Sequence, residues 1–286
     1  MNGKRVTGFF SSRGLARYAG SILTALALLY LLMAAHAYFF ADRFVFQPPA
    51  PSYLDTGAIL KIPVEKGSTI SALHLTDPAA DYTILYSHGN AEDLGHIREM
   101  VVRYPERGFS IIAYDYRGYG TSAGRPSEEA ACADIEAVYD HLLLKNRVRP
   151  DRIILYGRSV GGGPSTDLAA RRPVAGLILE SAFVSIFQVM TRVPVFPFDK
   201  FDNQRKIGRI ACPVLVIHGT RDEVIPFWHG EKLFRQAREP KLMLKVEGAD
   251  HNNLREIAGE EYWKALDRFR LMLAAQKRPE TPQRLP

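Results

Sequence analysis

The hydrophobic residues of this chain form one long uninterrupted stretch near the N-terminus and many short clusters after it. Eight short apolar runs rich in β-branched residues predict strands at residues 59–64, 69–75, 82–87, 109–114, 152–157, 174–180, 213–218 and 241–246. Segments with helical spacing predict five helices at residues 92–105, 127–146, 160–171, 228–238 and 257–275. This alternation is typical of βαβ units, so we expect an α/β fold with a mostly parallel, eight-stranded sheet flanked by helices.

The long apolar stretch covers residues 19–41, which include no charged side chain. A helix that rises 1.5 Å per residue would cross a hydrocarbon core of roughly 30 Å in this length, so we predict an N-terminal transmembrane helix. The basic residues that precede it are Lys4, Arg5, Arg13 and Arg17. Their charge places residues 1–18 in the cytoplasm and the rest of the chain outside it, in the periplasm if the source is bacterial.

A cleaved signal peptide is the alternative for this segment, because residues 35–37 (AHA) match the small-residue pattern of a cleavage site. The aromatic residues at 38–40 continue the apolar run past that site, which favours an uncleaved anchor. Both alternatives export the domain that follows. A buried core helix fits less well, since nothing polar marks an outward face.

Three other segments stand apart from the alternating pattern. Residues 42–58 contain a proline-rich run and are interpreted as a linker to an α/β domain at 59–275. Residues 182–208 interrupt that domain with aromatic residues and prolines, which is typical of a short lid or of an irregular packed connection. The polar tail at 276–286 is predicted to be disordered.

Charge and cysteine content exclude several classes of function. The formal net charge is +6, and removing the four basic residues before the apolar stretch leaves +2. A nearly balanced body without a Lys/Arg stripe gives no basis for nucleic-acid binding. Cys132 and Cys212 belong to no C-x-x-C or Cys/His cluster, so we expect buried free thiols, although one disulfide between them remains formally open.

Residues 157–161 (GRSVG) form the most informative motif, because they follow an apolar strand directly and precede a glycine-rich helix start. This is the G-x-S-x-G nucleophile elbow in its required strand-to-helix setting, with Ser159 as the nucleophile. The glycines are needed because backbone segments approach closely at the sharp turn and a Cβ would clash.

A serine nucleophile needs a base and an orienting carboxylate, in the chain order Ser, Asp or Glu, His. Asp222 follows the predicted strand 213–218, and His251 follows the predicted strand 241–246. The loops after these strands meet at one edge of a parallel sheet, so we expect the three side chains to converge. Glu223 and Asp250 are neighbouring alternatives to Asp222. The histidines at 74, 96, 141 and 229 fall in predicted strands or helices and are expected to be structural.

Acyl transfer also needs N–H donors for the oxyanion, usually one from the residue after the nucleophile and one from the loop after the third strand. Val160 is the expected first donor. The loop after strand 82–87 offers the backbone N–H of Asn90 as the second, with Ala91 as its alternative.

Six segments together resemble one branch of the α/β-hydrolase superfamily. They are HGNAEDLGHI, YDYRGYGTSAGRPSE, ILYGRSVGGGP, LESAF, PVLVIHGTRDEVIPFWHG and VEGADHNNL. In this order, over roughly residues 60–275, they look like the Bem46-like proteins and the ABHD17-type acyl-protein thioesterases. The resemblance implies an α/β-hydrolase fold, the triad Ser159, Asp222 and His251, no cofactor, and hydrolysis of an acyl ester or thioester. The chain departs from the ABHD17 pattern in having a hydrophobic span instead of a cysteine-rich, acylated N-terminus.

Other motifs do not support a cofactor. Residues 118–123 (GYGTSA) fit a dinucleotide fingerprint, but no helix opens at the third small residue and no strand-end acid follows at the expected distance. The sequence has no P-loop, H-E-x-x-H or Cys/His cluster, so neither a metal nor a nucleotide is expected. Two other functions fit the same fold, a catalytically silent membrane-tethered binding module and a peptidase.

Overall fold

The computed structural model describes residues 12–64 and 67–276. The predictions for residues 1–11 of the basic N-terminus and for the tail after residue 276 lie outside the described residues. The chain divides between Ala41 and Asp42 into an N-terminal helical unit and a larger α/β unit.

The N-terminal helix, α1, covers Ser12–Val45 and so extends past both ends of the apolar stretch predicted at 19–41. Its segment Tyr18–Val45 is 28 residues long and reaches a mean hydropathy of 1.9. Large apolar side chains such as those of Leu23 and Phe39 are exposed, as they are not in a core helix. Within the described residues, one helix is long and apolar enough to cross a membrane, a property that an anchor shares with a signal sequence.

The α/β unit is built on one eight-stranded sheet in the order β1-β2-β4-β3-β5-β6-β7-β8. Its strands are β1 Ile59–Pro63, β2 Thr69–Leu75, β3 Thr83–Ser87, β4 Ser110–Tyr114, β5 Ile153–Arg158, β6 Gly176–Glu180, β7 Val214–Gly219 and β8 Lys241–Val246. β2 pairs antiparallel with β1 and with β4, and the other neighbouring strands are parallel. The predicted eight-stranded, mostly parallel sheet is therefore confirmed.

The helices of this unit are α2 Leu94–Val101, α3 Arg103–Glu106, α4 Glu128–Leu144, α5 Gly162–Arg171, α6 Ile186–Thr191, α7 Asn203–Ile207, α8 Trp228–Gln236, α9 Leu254–Ala258 and α10 Glu260–Gln276. α4, α5 and α8 lie within two residues of their predicted bounds. The helix predicted at 92–105 is instead divided into α2 and α3, because Pro105 has no N–H to donate to the carbonyl of Val101. Gly259, with φ 51°, separates α9 from α10, so the helix predicted at 257–275 is also divided.

The sheet is buried on both faces. Every residue of β3, β4, β6 and β7 is buried. Alternate side chains enter two separate cores, with Leu85 and Leu155 in one and Ile84 and Ile154 in the other. The loops after the parallel strands therefore collect at a single solvent-facing edge, which is where open α/β sheets bind ligands.

The lid segment, residues 182–208, includes α6 and α7 and combines a packed base with an exposed rim. The rings of Phe187, Phe196 and Phe198 pack with centroids 5.5–6.0 Å apart. Met190 is 88% exposed and Val193 is 60% exposed. The segment is therefore ordered by its aromatic residues while it presents apolar side chains outward.

Residues 47–58, most of the predicted linker, lie along the α/β unit without forming a helix or strand. The backbone N–H of Ser52 donates to Asp93 at 2.7 Å, and the hydroxyl of Tyr53 donates to Asp115 at 2.5 Å. Burial, and then the charge of Asp115, raise the pKa of Tyr53 to about 12. These contacts fix the segment on the surface that carries the candidate site.

Candidate active site

Ser159 occupies a sharp turn between β5 and α5. Its φ is 52°, a left-handed conformation that a non-glycine residue adopts only at a cost of about 1–3 kcal/mol when the surrounding structure imposes it. A Cβ on Gly157 would clash with the backbone of Gly161, and a Cβ on Gly161 would clash with the backbone of Ser87. The two glycines of the motif are therefore required by close backbone approach, as the spacing predicts.

His251 and Asp222 lie beside Ser159 in the folded chain. In the sequence, His251 is 29 residues from Asp222 and 92 residues from Ser159. His251 Nε2 is 3.1 Å from Ser159 Oγ, and His251 Nδ1 is 2.8 Å from Asp222 Oδ2. All three residues are at least nine-tenths buried. The structure thus brings the three predicted side chains into one chain of hydrogen bonds.

Asp222 is fixed through both carboxylate oxygens. While Oδ2 faces His251, Oδ1 accepts the backbone N–H groups of Val224 at 3.1 Å and Ile225 at 2.7 Å. Burial alone would raise the pKa of Asp222, but the hydrogen bond and charge of His251 and the Ile225 N–H lower it. The carboxylate is therefore an anion at neutral pH.

The two alternative carboxylates lie elsewhere. Asp250 is exposed and accepts the backbone N–H groups of Asn252 at 2.8 Å and Asn253 at 2.9 Å, so it stabilises its own loop. Glu223 is also exposed. Asp222 is the carboxylate that the structure brings to His251.

The loop after β3 holds its peptide groups in fixed directions. His88 Nδ1 lies 2.7 Å from the carbonyl oxygen of Gly89, and Glu92 Oε1 accepts the Gly89 N–H at 2.5 Å. In a trans peptide the carbonyl and the following N–H point in opposite directions. With the Gly89 carbonyl turned towards the buried His88 ring, the Asn90 N–H points away from that ring.

The side chain of Asn90 faces the segment that follows α1. Its Oδ1 accepts the Gln47 N–H at 2.9 Å and the Tyr119 hydroxyl at 2.6 Å, and its Nδ2 donates to the Val45 carbonyl at 2.8 Å. These bonds hold the Asn90 side chain against residues 45–47 and Tyr119. Ala91, the alternative donor, has φ 55°.

Sequence reasoning missed an ion-pair network directly beneath these groups. Arg158 contacts Glu92 at 2.8 Å and Glu180 at 3.3 Å, and Glu180 also pairs with Arg255 at 3.0 Å. Arg158 occupies the variable position of the motif, and its partner Glu92 lies 66 residues away. Neither residue carries a pattern that indicates the pairing.

The four histidines predicted to be structural, at positions 74, 96, 141 and 229, lie in β2, α2, α4 and α8. Burial is the largest cause that lowers the pKa of His74, of His141 and of His229, in the last case to about 4. His229 Nδ1 accepts the Val184 N–H at 3.2 Å, and His96 Nδ1 lies 2.8 Å from Asp93. These contacts leave His251 as the histidine at the serine.

The cysteines lie in no cluster of metal-ligating side chains among the described residues. Cys132 and Cys212 are free thiols, and burial raises the pKa of Cys212 to about 12. In the described part of the chain, no group of three or more His, Cys, Asp or Glu residues could hold a metal ion.

The fold and the Ser–His–Asp arrangement define the class, an α/β-hydrolase-fold protein. A family model described as "Serine aminopeptidase, S33" matches residues 78–199. The chain is 43% identical over 208 residues to the human α/β hydrolase domain-containing protein 17B, covering 71% of this chain and 72% of that protein. The Xenopus tropicalis 17C protein is 40% identical over 221 residues, with coverage of 76% and 70%. The chain belongs to the α/β hydrolase domain-containing protein 17 family.

Solved structures share the fold at lower sequence identity. An esterase from Pyrococcus furiosus is 17% identical, with a TM-score of 0.66 over 79% of this chain and 99% of the esterase. An α/β serine hydrolase homologue from Coxiella burnetii is 19% identical, with a TM-score of 0.57 over 78% of this chain and 99% of the homologue. The family resemblance and the α/β-hydrolase fold predicted from the sequence are both confirmed.

Proposed function

We propose that this chain is a membrane-anchored serine hydrolase that cleaves an acyl ester or thioester through a covalent acyl-enzyme. The observation that carries the proposal is the 3.1 Å contact between Ser159 Oγ and His251 Nε2, with Asp222 at the opposite nitrogen of the ring. Hydrogen-bonded groups in this order are those that activate a serine nucleophile.

In the proposed reaction, Ser159 Oγ attacks the acyl carbonyl while His251 Nε2 takes its proton. Asp222 holds Nδ1–H of the ring and stabilises the imidazolium. The backbone N–H groups of Asn90 and Val160 stabilise the oxyanion, and the proton then passes from His251 to the leaving alcohol or thiol. Water, activated by the same histidine, releases the acyl group and restores Ser159.

An acyl substrate is supported by the surface around the lid segment. Met190 and Val193 expose apolar side chains there, and the side chains of Glu92 and Glu180 beside His251 are both paired with guanidinium groups. An aminopeptidase needs a free carboxylate for the substrate's terminal ammonium, and these two are already occupied. The pairing favours an ester or thioester over the peptidase alternative.

The membrane part of the proposal rests on helix α1. We propose that it stays uncleaved, with the N-terminus in the cytoplasm and the α/β unit on the other side. A membrane-impermeant fluorophosphonate added to sealed, oriented vesicles would label the protein only on the side that holds Ser159. Labelling from the cytoplasmic side alone would overturn this topology without affecting the chemistry.

The catalytic proposal is tested on the purified full chain. Fluorophosphonate should label the wild type and the control Ser68→Ala, a change on the hairpin between β1 and β2, but not Ser159→Ala. A panel of nitrophenyl esters and thioesters of graded chain length should be hydrolysed by the two proteins that label. A folded wild type that neither labels nor hydrolyses any of them would instead support a silent binding module.

A further inference from the structure

The guanidinium of Arg158 touches three parts of the site at once. Arg158 is bonded to Ser159, its Nη1 donates to Glu92 at 2.8 Å, and its Nη2 donates to the carbonyl oxygen of His251 at 3.1 Å. Nη2 also donates to the side chain of Asn252 at 3.1 Å. Ser159, the loop after β3 that carries Glu92 (the oxyanion loop) and the loop after β8 that carries His251 (the histidine loop) therefore meet at the side chain of Arg158.

The contact with Glu92 extends to the candidate oxyanion donor. Glu92 Oε1 accepts both the Arg158 guanidinium and the N–H of Gly89, whose carbonyl precedes the Asn90 N–H in the same peptide group. A Cβ on Gly89 would lie 2.8 Å from Glu92 Oε1 and 2.9 Å from Arg158 Nη1, so the ion pair packs directly against the Gly89 backbone. The ion pair and the donor peptide form one rigid unit.

Burial makes these contacts strong. The side chains of Arg158 and Glu92 are 13% and 18% exposed, and interactions between charges increase in energy as solvent is removed. Although burial alone would raise the pKa of Glu92, the charge of Arg158 lowers it, so the pair is ionised at neutral pH. Because Arg158 engages its Nε, Nη1 and Nη2 within the protein, the guanidinium is not positioned to bind an anionic substrate.

We infer that Arg158, with Glu92, is a positioning residue that holds the Asn90 N–H and the His251 loop in register with Ser159. This inference rests on the proposed function. Both held groups interact more strongly with the transition state than with the bound substrate, so their displacement lowers kcat and leaves KM almost unchanged. A residue that only stabilised the fold would change the amount of active enzyme instead.

The experiment compares full-chain Arg158→Met, Arg158→Lys and Glu92→Gln with the wild type, using kcat divided by sites titrated with fluorophosphonate. Deleting one oxyanion donor lowers kcat by about 10²–10³-fold, so displacing one should lower it by about 10–100-fold in Arg158→Met. Arg158→Lys keeps a positive charge that can pair with Glu92 but lacks the several N–H donors of the guanidinium group. Its kcat per titrated site should lie between those of the wild type and Arg158→Met. The affinity of a trifluoromethyl ketone that forms a tetrahedral adduct should fall in parallel with kcat/KM.

Arg117→Met is the matched control, because Arg117 is similarly buried, at 15% exposed, and donates to Asp134 and to the Ala130 carbonyl, both on α4 and outside the Arg158 network. Its kcat per titrated site should stay within about threefold of the wild type even if its melting temperature falls. In the double variant Glu92→Gln/Arg158→Met, kcat per titrated site should be at most about threefold lower than in the less active of the two single variants. Both changes break the same ion pair, so their effects should not multiply.

Three results would overturn the inference: wild-type kcat per site in Arg158→Met, an equal loss in Arg117→Met, or a double variant whose loss is the product of the single losses. Failure of the wild type to label at Ser159 would instead overturn the proposed function. Arg158→Lys and Glu92→Gln keep the test decisive if Arg158→Met does not fold.

Discussion

Replacing Asp222 by asparagine should inactivate the enzyme by fixing His251 in the wrong tautomer. Asp222 Oδ1 accepts N–H groups from Val224 and Ile225, so the oxygen of the new amide must occupy that position. The amide NH₂ then faces His251 Nδ1, 2.8 Å away in the wild type. Because NH₂ can only donate, Nδ1 must accept, and the ring proton moves to Nε2, which faces Ser159.

A histidine with its proton on Nε2 cannot take the proton of Ser159. The equivalent change in a serine protease lowers kcat by about 10⁴-fold, which corresponds to about 5 kcal/mol of transition-state stabilisation. We expect a loss of this size in Asp222→Asn, with KM changed by less than about threefold since ground-state contacts are kept.

The assay is steady-state hydrolysis of a nitrophenyl ester by the full chain, normalised to folded protein by circular dichroism. Glu223→Gln and Asp250→Asn are the matched controls, because each removes one carboxylate next to a site residue. Both should keep kcat within about fivefold of the wild type. Asp222→Asn with more than a tenth of wild-type kcat, or Asp250→Asn with the larger loss, would refute the assignment.

Three further predictions address the fold and the surface. Gly161→Ala should abolish soluble folded protein, because the added methyl group meets the Ser87 backbone; a cooperative thermal melt with wild-type activity would contradict this. His229→Gln should reduce the loss of stability on acidification by about 2 kcal/mol between pH 7 and 4.5. A folded-state pKa of about 4 means that the unfolded chain binds the proton first, and urea unfolding of both proteins at both pH values measures the difference. Val193→Glu should slow turnover of a bilayer-embedded ester severalfold but should not slow turnover of a soluble acetate ester. The control Leu144→Glu, at the end of α4, should slow neither reaction. Equal losses on both substrates in Val193→Glu would argue against a lid that meets lipid.

The fold and the nucleophile could be predicted because their signals are local. The apolar runs that form β5 and β7 are continuous in sequence, since both faces of those strands are buried. The glycines around Ser159 are likewise explained by backbone clashes within the turn and with the end of β3. Local steric requirements of this kind leave a readable pattern of residue types.

The two divided helices contain helix-breaking residues whose signal in the sequence is weaker than that of the helical periodicity around them. Pro105 lies inside the predicted helix 92–105 and marks the break after Val101, and Gly259 marks the break before α10. Helical periodicity continues across both breaks because α2 and α3, and likewise α9 and α10, turn apolar residues to the same core. Periodicity reports burial and does not report whether backbone hydrogen bonding is continuous.

The choice between Asp222 and Glu223 and the role of Arg158 needed the folded chain. In the sequence, Asp222 and Glu223 are equally good candidates for the carboxylate that orients His251. In the structure, the turn in which Asp222 accepts the N–H groups of Val224 and Ile225 directs Asp222 inward. From the sequence alone, the side chain of Arg158 is predicted to be exposed, because charged residues are rarely buried unless they are paired. Its partners lie 66 and 93 residues away, so the pairing appears only in three dimensions.

The base of the lid segment is held by contacts with the residues that follow the apolar stretch. Lys200 Nζ lies 3.4 Å from Asp42, and the ring of Phe201 packs 6.0 Å from that of Phe46. Asp42 is bonded to Ala41, the last residue of the apolar stretch, so the chain enters the α/β unit at the base of the lid. We propose that an acyl chain passes over the apolar side chains of this segment, such as Val193, while its carbonyl reaches Ser159, which avoids the penalty of about 0.8 kcal/mol for each CH₂ group exposed to water.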